Sequence, residues 1–196
     1  MIVESLRKLW AFFKNPTAKY SVLVLAGTGL VIGIVSVIAF EVTMTATNSE
    51  QFCTSCHEMR DNPGMLLKGT THFKNKSGVR PTCSDCHVPR EFIPKMIRKI
   101  EASREVWGKI TGIIDTPEKY AAHAPAMKAR EIARLKANDS QECRNCHDVN
   151  QMLFEVQTAK AQEYHQAAEH KGKTCIDCHA GLTHTPPDQI SEVGLQ

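Results

Sequence analysis

The longest uninterrupted apolar run covers residues 21–40, SVLVLAGTGLVIGIVSVIAF, twenty positions without a charge. That is the length a helix needs to cross the hydrocarbon core of a bilayer. Arg7, Lys8, Lys14 and Lys19 precede the run, and Glu41 and Glu50 follow it. The basic flank predicts a cytoplasmic N-terminus, with everything after Phe40 outside. Trp10 and Tyr20 suit the interface. Gly27, Gly29 and Gly33 either admit a neighbouring helix or are simply tolerated in lipid. The run is longer than a usual signal-peptide core, and EVTMTATNSE offers only a weak small-x-small cleavage site, so a retained anchor is expected. The predicted division is a basic cytoplasmic N-terminus at 1–20, a membrane anchor at 21–42 and an exported domain at 43–196.

Beyond the anchor the periodicity is helical. Phe92, Ile93, Met96, Ile97, Ile100, Trp107, Ile110 and Ile114 recur at helical spacing, with Pro94 in a first turn. Lys95, Arg98, Lys99, Arg104 and Lys109 supply another face. This basic amphipathic segment either lies on anionic headgroups or packs on a cofactor with its charges solvated. Residues 115–118, DTPE, read as a cap and restart. The next helix runs to about Ala137, interrupted near Pro125. Residues 138–140 form a loop, and a third helix is expected from about Val149 to His170, ending at Gly172. Strand-like alternation is absent, and the tail from Pro186 is polar. The fold class is mainly α.

Composition changes this picture through cysteine. The formal net charge is only +3, too mild to argue for a nucleic-acid partner. Eight cysteines fall into four C-x-x-C pairs: Cys53/Cys56, Cys83/Cys86, Cys143/Cys146 and Cys175/Cys178. Each pair is followed at once by a histidine: His57, His87, His147 and His179. Zinc sites and redox dithiols use C-x-x-C too, but neither needs a histidine at the next position four times out of four. Covalent c-type haem does, because two sulfurs bond the vinyl-derived carbons and the adjacent imidazole lies under the iron. Four covalently bound c-type haems are expected, and much of the core of so short a chain is then macrocycle. Haem attachment outside the cytoplasm agrees with the predicted orientation and points to the periplasmic face of a bacterial inner membrane.

The motifs start at positions 53, 83, 143 and 175, so the gaps are 30, 60 and 32. This suggests two dihaem halves joined by a longer helical connection. His72 lies eleven residues before Cys83, and His165 ten before Cys175. Low-spin electron-transfer haems usually take two protein ligands. Outside the motifs stand five histidines: His72, His123, His165, His170 and His184. His184 is too close in sequence to His179 to reach the far side of the same haem, but it can reach a neighbour. His123, beside Pro125, and His170, beside Lys171, read equally well as solvated side chains. Three good distal histidines for four haems leave one haem without a second imidazole.

The stretches THFKNKSGVRPTCSDCHVPREFIPKMIRKI, TPEKYAAH, NDSQECRNCH and GKTCIDCHAGLTH, together with the anchor, resemble the NapC/NirT family of membrane-anchored tetrahaem quinol dehydrogenases. The resemblance covers nearly the whole chain. It implies a membrane helix followed by a small multihaem domain. It also implies oxidation of a membrane quinol, menaquinol or ubiquinol, and electron delivery to a periplasmic reductase, with nitrate reductase the first candidate. A passive wire without a quinol site, or a donor to a nitrite or other reductase, stands as the alternative. In the family the first haem carries C-x-x-C-H-x-M with methionine on the iron, and the matching residue is Met59. Whether His57 or Met59 ligates there stays open. The implied pairs for the other haems are His87 with His184, His179 with His72, and His147 with His165. Some relatives carry a histidine just after the second motif, where this chain has Arg90, which cannot ligate iron. The resemblance also implies a lysine and a carboxylate beside the first haem. These positions correspond to Lys99 and Glu105, the lysine stabilising developing negative charge on the quinol oxygen and the carboxylate accepting a proton.

Overall fold

The computed structural model describes residues 2–14, 22–168 and 172–184. The chain divides into two units, Met1–Ala46 and Thr47–Gln196. In the first unit, α1 spans Ile2–Lys14 and α2 spans Val22–Ala46. The N-terminal segment, expected only as a basic stretch, is therefore helical. Val3, Leu6 and Trp10 recur along it at spacings of three and four and are exposed. Lys19, Tyr20 and Ser21 lie outside the described residues, as do His170, Lys171 and the tail from Pro186.

Helix α2 runs past the expected end of the anchor at residue 42. Its last turn stays regular, with the Thr43 hydroxyl donating to the Ala39 carbonyl at 2.8 Å. Residues Leu23–Ala46 form a helix long and apolar enough to cross a membrane. At 1.5 Å per residue, 24 residues reach about 36 Å, against a hydrocarbon core of about 30 Å. Leu30 and Val37 are more than 60% exposed. A helix apolar all round suits lipid rather than water.

In the second unit, short helices carry the motifs and two long helices connect them. Helices α3 (Glu50–Cys53), α4 (His57–Asp61) and α5 (Pro63–Lys68) surround the first motif. Helix α6 (Cys83–His87) is the second motif, α9 (Gln141–Arg144) enters the third, and α11 (Cys175–Cys178) begins the fourth. Between them run α7 (Phe92–Ile110) and α8 (Pro117–Ala137). Helix α8 starts where the cap signal lies, with the Thr116 hydroxyl accepting from the Lys119 N–H and Pro117 in the first turn. It is not interrupted at Pro125, which sits inside a continuous helix. The strong helix formers Ala126, Met127, Lys128 and Ala129 follow directly and carry the helix past the lost hydrogen bond.

The third expected helix forms only in its second half. Val149–Gln151 and Phe154–Val156 are 3₁₀ turns, and α10 covers Ala159–Ala168. The Asp148 carboxylate takes the Asn150 N–H, and Gln157 is extended. These local bonds compete with an α-helix, which begins only after the Thr158 hydroxyl accepts from the Ala161 N–H. Among the described residues there is no strand.

Conventional core is almost missing from this unit. The buried apolar side chains among the described residues are Leu67 and Leu135. Two side chains are worth only about 3–6 kcal/mol of apolar burial. That is far less than the ordering of more than a hundred residues costs. The covalent macrocycles expected from the four motifs would supply the missing apolar contacts, and folding of this unit would then be linked to their attachment. Replacing all eight cysteines by alanine is expected to abolish cooperative thermal unfolding of the exported domain, followed by far-ultraviolet circular dichroism. A sharp transition in that variant would contradict the linkage.

Candidate functional site

The four motifs are entered in two ways. Motifs two and four share T-C-x-D-C-H, and each is built as a capping box. Thr82 gives both its N–H and its hydroxyl proton to Asp85 Oδ2, at 2.8 and 2.7 Å. Thr174 does the same to Asp177 Oδ2, at 2.8 Å for each. The first cysteine thus opens a helical turn and the second closes it. Hydrogen bonds from Lys136 and Thr174 pull the Asp177 carboxyl well below its usual range. Motifs one and three instead follow a short helix, α3 or α9, entered from N-S-E-Q or N-D-S-Q. Ser49 caps α3. Ser140 precedes α9 in the left-handed region, φ 51°, fully buried, with its hydroxyl accepting from the Ile176 N–H at 3.2 Å. The alternation of entry types is a stronger sign of two dihaem halves than motif spacing.

The motifs abut in chain order. The Cys53 and Cys83 thiols are within hydrogen-bonding reach, and so are those of Cys143 and Cys175. Helix α6 packs on α9 and joins the halves. Four attachment points therefore lie in a row from the first motif to the fourth.

Three pairs of imidazole rings face one another. His87 and His184 lie 6.0 Å apart between centroids with planes 19° apart. His165 and His179 are separated by 6.0 Å at 37°. His72 and His147 are separated by 6.1 Å at 82°. Two metal–nitrogen bonds of about 2 Å, plus about 1.1 Å from nitrogen to ring centre on each side, sum to about 6.2 Å. Each pair therefore has the span of a bis-imidazole iron site. The nitrogen economy agrees. Nδ1 of His87 donates to Glu131 Oε1 at 2.8 Å, that of His165 meets Gln157 Oε1 at 2.7 Å, and that of His184 donates to the Pro63 carbonyl at 3.1 Å. In all three rings Nε2 is left for a metal. Nδ1 of His72 and of His179 is buried without a hydrogen-bond partner. Burial pushes His184 down to about 4, which favours the neutral ring near neutral pH.

Two of the three implied pairings are exchanged. His72 meets His147, not His179, and His165 meets His179, not His147. The equivalent sequence positions of His72 and His165 conceal different destinations. His165 is fourteen residues from its partner and stays within its own half. His72 rides a loop after α5, braced by Arg80 over the Phe73 ring at 4.2 Å and paired with Glu50, and reaches into the other half. His123 is exposed and turned to the Lys119 carbonyl of its own helix.

The first motif differs from the rest. Among the described residues His57 faces no other histidine ring. Its Nε2 lies 3.3 Å from Glu58 Oε1, which also accepts from Lys109 Nζ at 2.6 Å. Glu58 is 2% exposed. Burial raises its carboxyl, but the Lys109 hydrogen bond, a backbone hydrogen bond and the charges of His57 and Lys109 together outweigh this and hold it below the usual value. Sequence reasoning missed Glu58 and Lys109, although Glu58 stands between the two candidate ligands. Met59, on α4, is 43% exposed.

Lys99 and Glu105 do not converge. Six residues on a helix rotate the side chain by about 120° net. Lys99 Nζ donates to the Thr47 carbonyl and hydroxyl at 3.1 and 2.9 Å. Burial pulls its ammonium below the usual lysine range, while the neighbouring Cys53 sulfur opposes the shift. Glu105 is half exposed and pairs with Arg98 at 3.4 Å. Arg90 lines a depression of about 110 Å³ with Asn48, Asp85 and Lys95.

A second network surrounds the second motif. Arg134 donates to Glu131, to the buried Glu142 and to the Cys86 carbonyl. Burial pushes Glu131 up, but hydrogen bonds from His87 and Arg134 prevail and hold it at about 2. The i,i+3 pair on α8 and the glutamate just before Cys143 were the sequence signals for this network.

Residues 15–189 match the model of the NapC/NirT cytochrome c family, N-terminal region. The chain is 46% identical over 182 residues to the denitrification system component NirT of Stutzerimonas stutzeri, covering 93% of this chain and 90% of that one. It is 46% identical over 183 residues to the cytochrome c-type protein NapC of Escherichia coli K12, covering 93% and 91%. The cytochrome c-type protein TorC of the same organism is 41% identical over 95% of this chain and 48% of its own length. No solved structure matches the chain.

Near-perpendicular axial imidazole planes leave two iron orbitals almost degenerate and give a strongly axial low-spin resonance. Near-parallel planes split the orbitals and give a rhombic one. Electron paramagnetic resonance of the oxidised protein is therefore expected to show one strongly axial signal, removed by His72→Ala, and a rhombic signal removed by His184→Ala. Loss of the axial signal in His165→Ala instead would restore the exchanged pairing.

Proposed function

The chain belongs to the NapC/NirT cytochrome c family and is a membrane-anchored electron-transfer protein with four covalently bound c-type haems; on that premise we propose that it is a quinol dehydrogenase. In this reading it oxidises menaquinol or ubiquinol at the outer face of the bacterial inner membrane and delivers electrons to a periplasmic reductase. Nitrate reductase is the first candidate, in keeping with relatives named NapC and NirT. The haems, when bound, take up electrons singly and conduct them.

The observation that carries the reading is the asymmetry of the first motif. Three motif histidines each face a second imidazole. His57 is turned to a carboxylate instead. Met59 would then be the residue that holds the iron of the first haem. Cys53 and Cys56 attach the first haem, Cys83 and Cys86 the second, Cys143 and Cys146 the third, and Cys175 and Cys178 the fourth. His87 with His184, His147 with His72, and His179 with His165 ligate the last three.

Lys99 supplies the charge that quinol oxidation needs. Its ammonium lies beside the Cys53 sulfur and is held by Thr47, the residue after α2 in the chain. Exchanging the Thr47 oxygens for a quinol oxygen lets Lys99 stabilise the developing anion. Quinol gives up two protons with its two electrons. Glu105, half exposed on the next turns of α7, takes one proton and hands it to solvent, and the second is released directly to water.

Lys99→Ala is expected to slow reduction by a quinol analogue on the order of tenfold to a hundredfold, with dithionite reduction unchanged. The check is stopped-flow absorbance of the detergent-solubilised protein. If wild type reduced by dithionite ignores both menaquinol and ubiquinol analogues, the protein is a passive wire. Met59→Leu is expected to change the spin state of one haem only, read by near-infrared magnetic circular dichroism. Four unaltered haem spectra would remove Met59 from the ligand set.

A further inference from the structure

The second motif carries a feature the other ligand pairs lack. Among the described residues, His87 is the ligand-pair histidine whose Nδ1 meets a carboxylate, Glu131. The corresponding atoms elsewhere meet a side-chain amide at His165 and a backbone carbonyl at His184. Those of His72 and His179 are buried without a hydrogen-bond partner. The contact is built rather than incidental. Glu131 lies on α8, a turn before Arg134, and receives both Nε and Nη2 of that arginine. Arg134 is itself fixed by Glu142, which is 4% exposed, and by the Cys86 carbonyl inside the motif. Asn138 Nδ2 donates to the remaining Glu142 oxygen at 2.8 Å. Counting charges, Glu131 and Glu142 against Arg134 leave one net negative charge between the second and third motifs, with Glu131 the member that touches a motif histidine.

We propose that Glu131 is a positioning residue that makes the haem held by His87 and His184 the most reducing of the three bis-histidine haems. The physical cause is charge donation. A carboxylate accepting the Nδ1 proton gives the imidazole anionic character and makes Nε2 a stronger donor to the metal. A stronger donor and a nearby negative charge both favour the ferric over the ferrous state. The partly buried arginine keeps the carboxylate oriented, and its two glutamate partners stop it from cancelling the effect. In the other two pairs, Nδ1 of His165 meets a neutral amide and Nδ1 of His72 and of His179 has no hydrogen-bond partner. The inference rests on the ligand pairing and not on the quinol reading, so failure of one leaves the other standing.

The experiment is a spectroelectrochemical titration of the full-length, detergent-solubilised protein, with haem content fixed by the pyridine haemochrome method. In wild type, the rhombic signal of the near-parallel pair is expected to be the last of the three bis-histidine signals to disappear as the potential is lowered. In Glu131→Gln, which keeps a hydrogen-bond acceptor and removes the charge, that haem's midpoint shifts upward and its g values change. The other midpoints stay put, and Glu131→Asp restores part of the shift. Should Glu131→Gln fail to retain four haems, the wild-type order of reduction still decides. A rhombic signal that is reduced before either of the other two overturns the proposal. So does a Glu131→Gln protein with four haems and unchanged midpoints.

Discussion

Two imidazole rings held about 6 Å apart, three times over, are the constraint on which the exported domain depends. Each pair takes one ring from an attachment motif and the other from outside the motifs. Two of the three join distant segments, His87 to His184 and His72 to His147. Segments 75 and 97 residues apart in sequence are brought together at facing imidazole rings rather than by a packed apolar interior. Leu67 and Leu135 are too little to do it. Long loops closed in this way lose most of the conformational freedom that would otherwise oppose folding. The helices therefore read as spacers that set where rings and sulfurs stand.

Buried charge fills part of the space that apolar side chains leave. Glu58 and Glu142 are nearly inaccessible, and each is matched by a cation from a long helix: Lys109 from α7 and Arg134 from α8. Such pairs cost desolvation and are poor general stabilisers, but breaking one leaves a charge stranded. Their value is in register. Lys109 fixes α7 to the first motif, and Arg134 fixes α8 to the second and third at once. Glu58 also sits against His57, and Glu131, the other carboxylate partner of Arg134, against His87, so side chains that locate a helix also touch a motif histidine. The first motif has its histidine turned toward a carboxylate through Nε2, the second through Nδ1. That single difference of nitrogen leaves Nε2 occupied by a carboxylate in His57 and free of one in His87.

The anchor, the attachment sites and the long helices were legible in the residues. A twenty-residue apolar run, four C-x-x-C-H motifs and a helical stripe from Phe92 are local patterns whose physics acts over one or a few turns. The errors arose where that locality ended. Pro125 looked like a break, yet the alanine-rich sequence after it carries α8 through. Val149–Gln157 had helical spacing of apolar residues, but Asp148 and Thr158 offered the backbone closer hydrogen bonds. The capping boxes Thr82–Asp85 and Thr174–Asp177 were present in the letters T-C-x-D-C-H and went unread.

By itself the sequence determined that the chain carries four C-x-x-C-H haem-attachment motifs, and it singled out His72, His165 and His184 as the histidines to look for beside them. It did so because covalent attachment uses contiguous residues with invariant spacing. Only the tertiary structure decided which distal histidine meets which motif, that Glu58 with Lys109 and Glu131 with Arg134 address different nitrogens of His57 and His87, and that Lys99 and Glu105 part company on α7. A ligand across an iron is chosen by where a loop is carried in space. Residues matched by position, as His72 and His165 are, can be delivered to different halves.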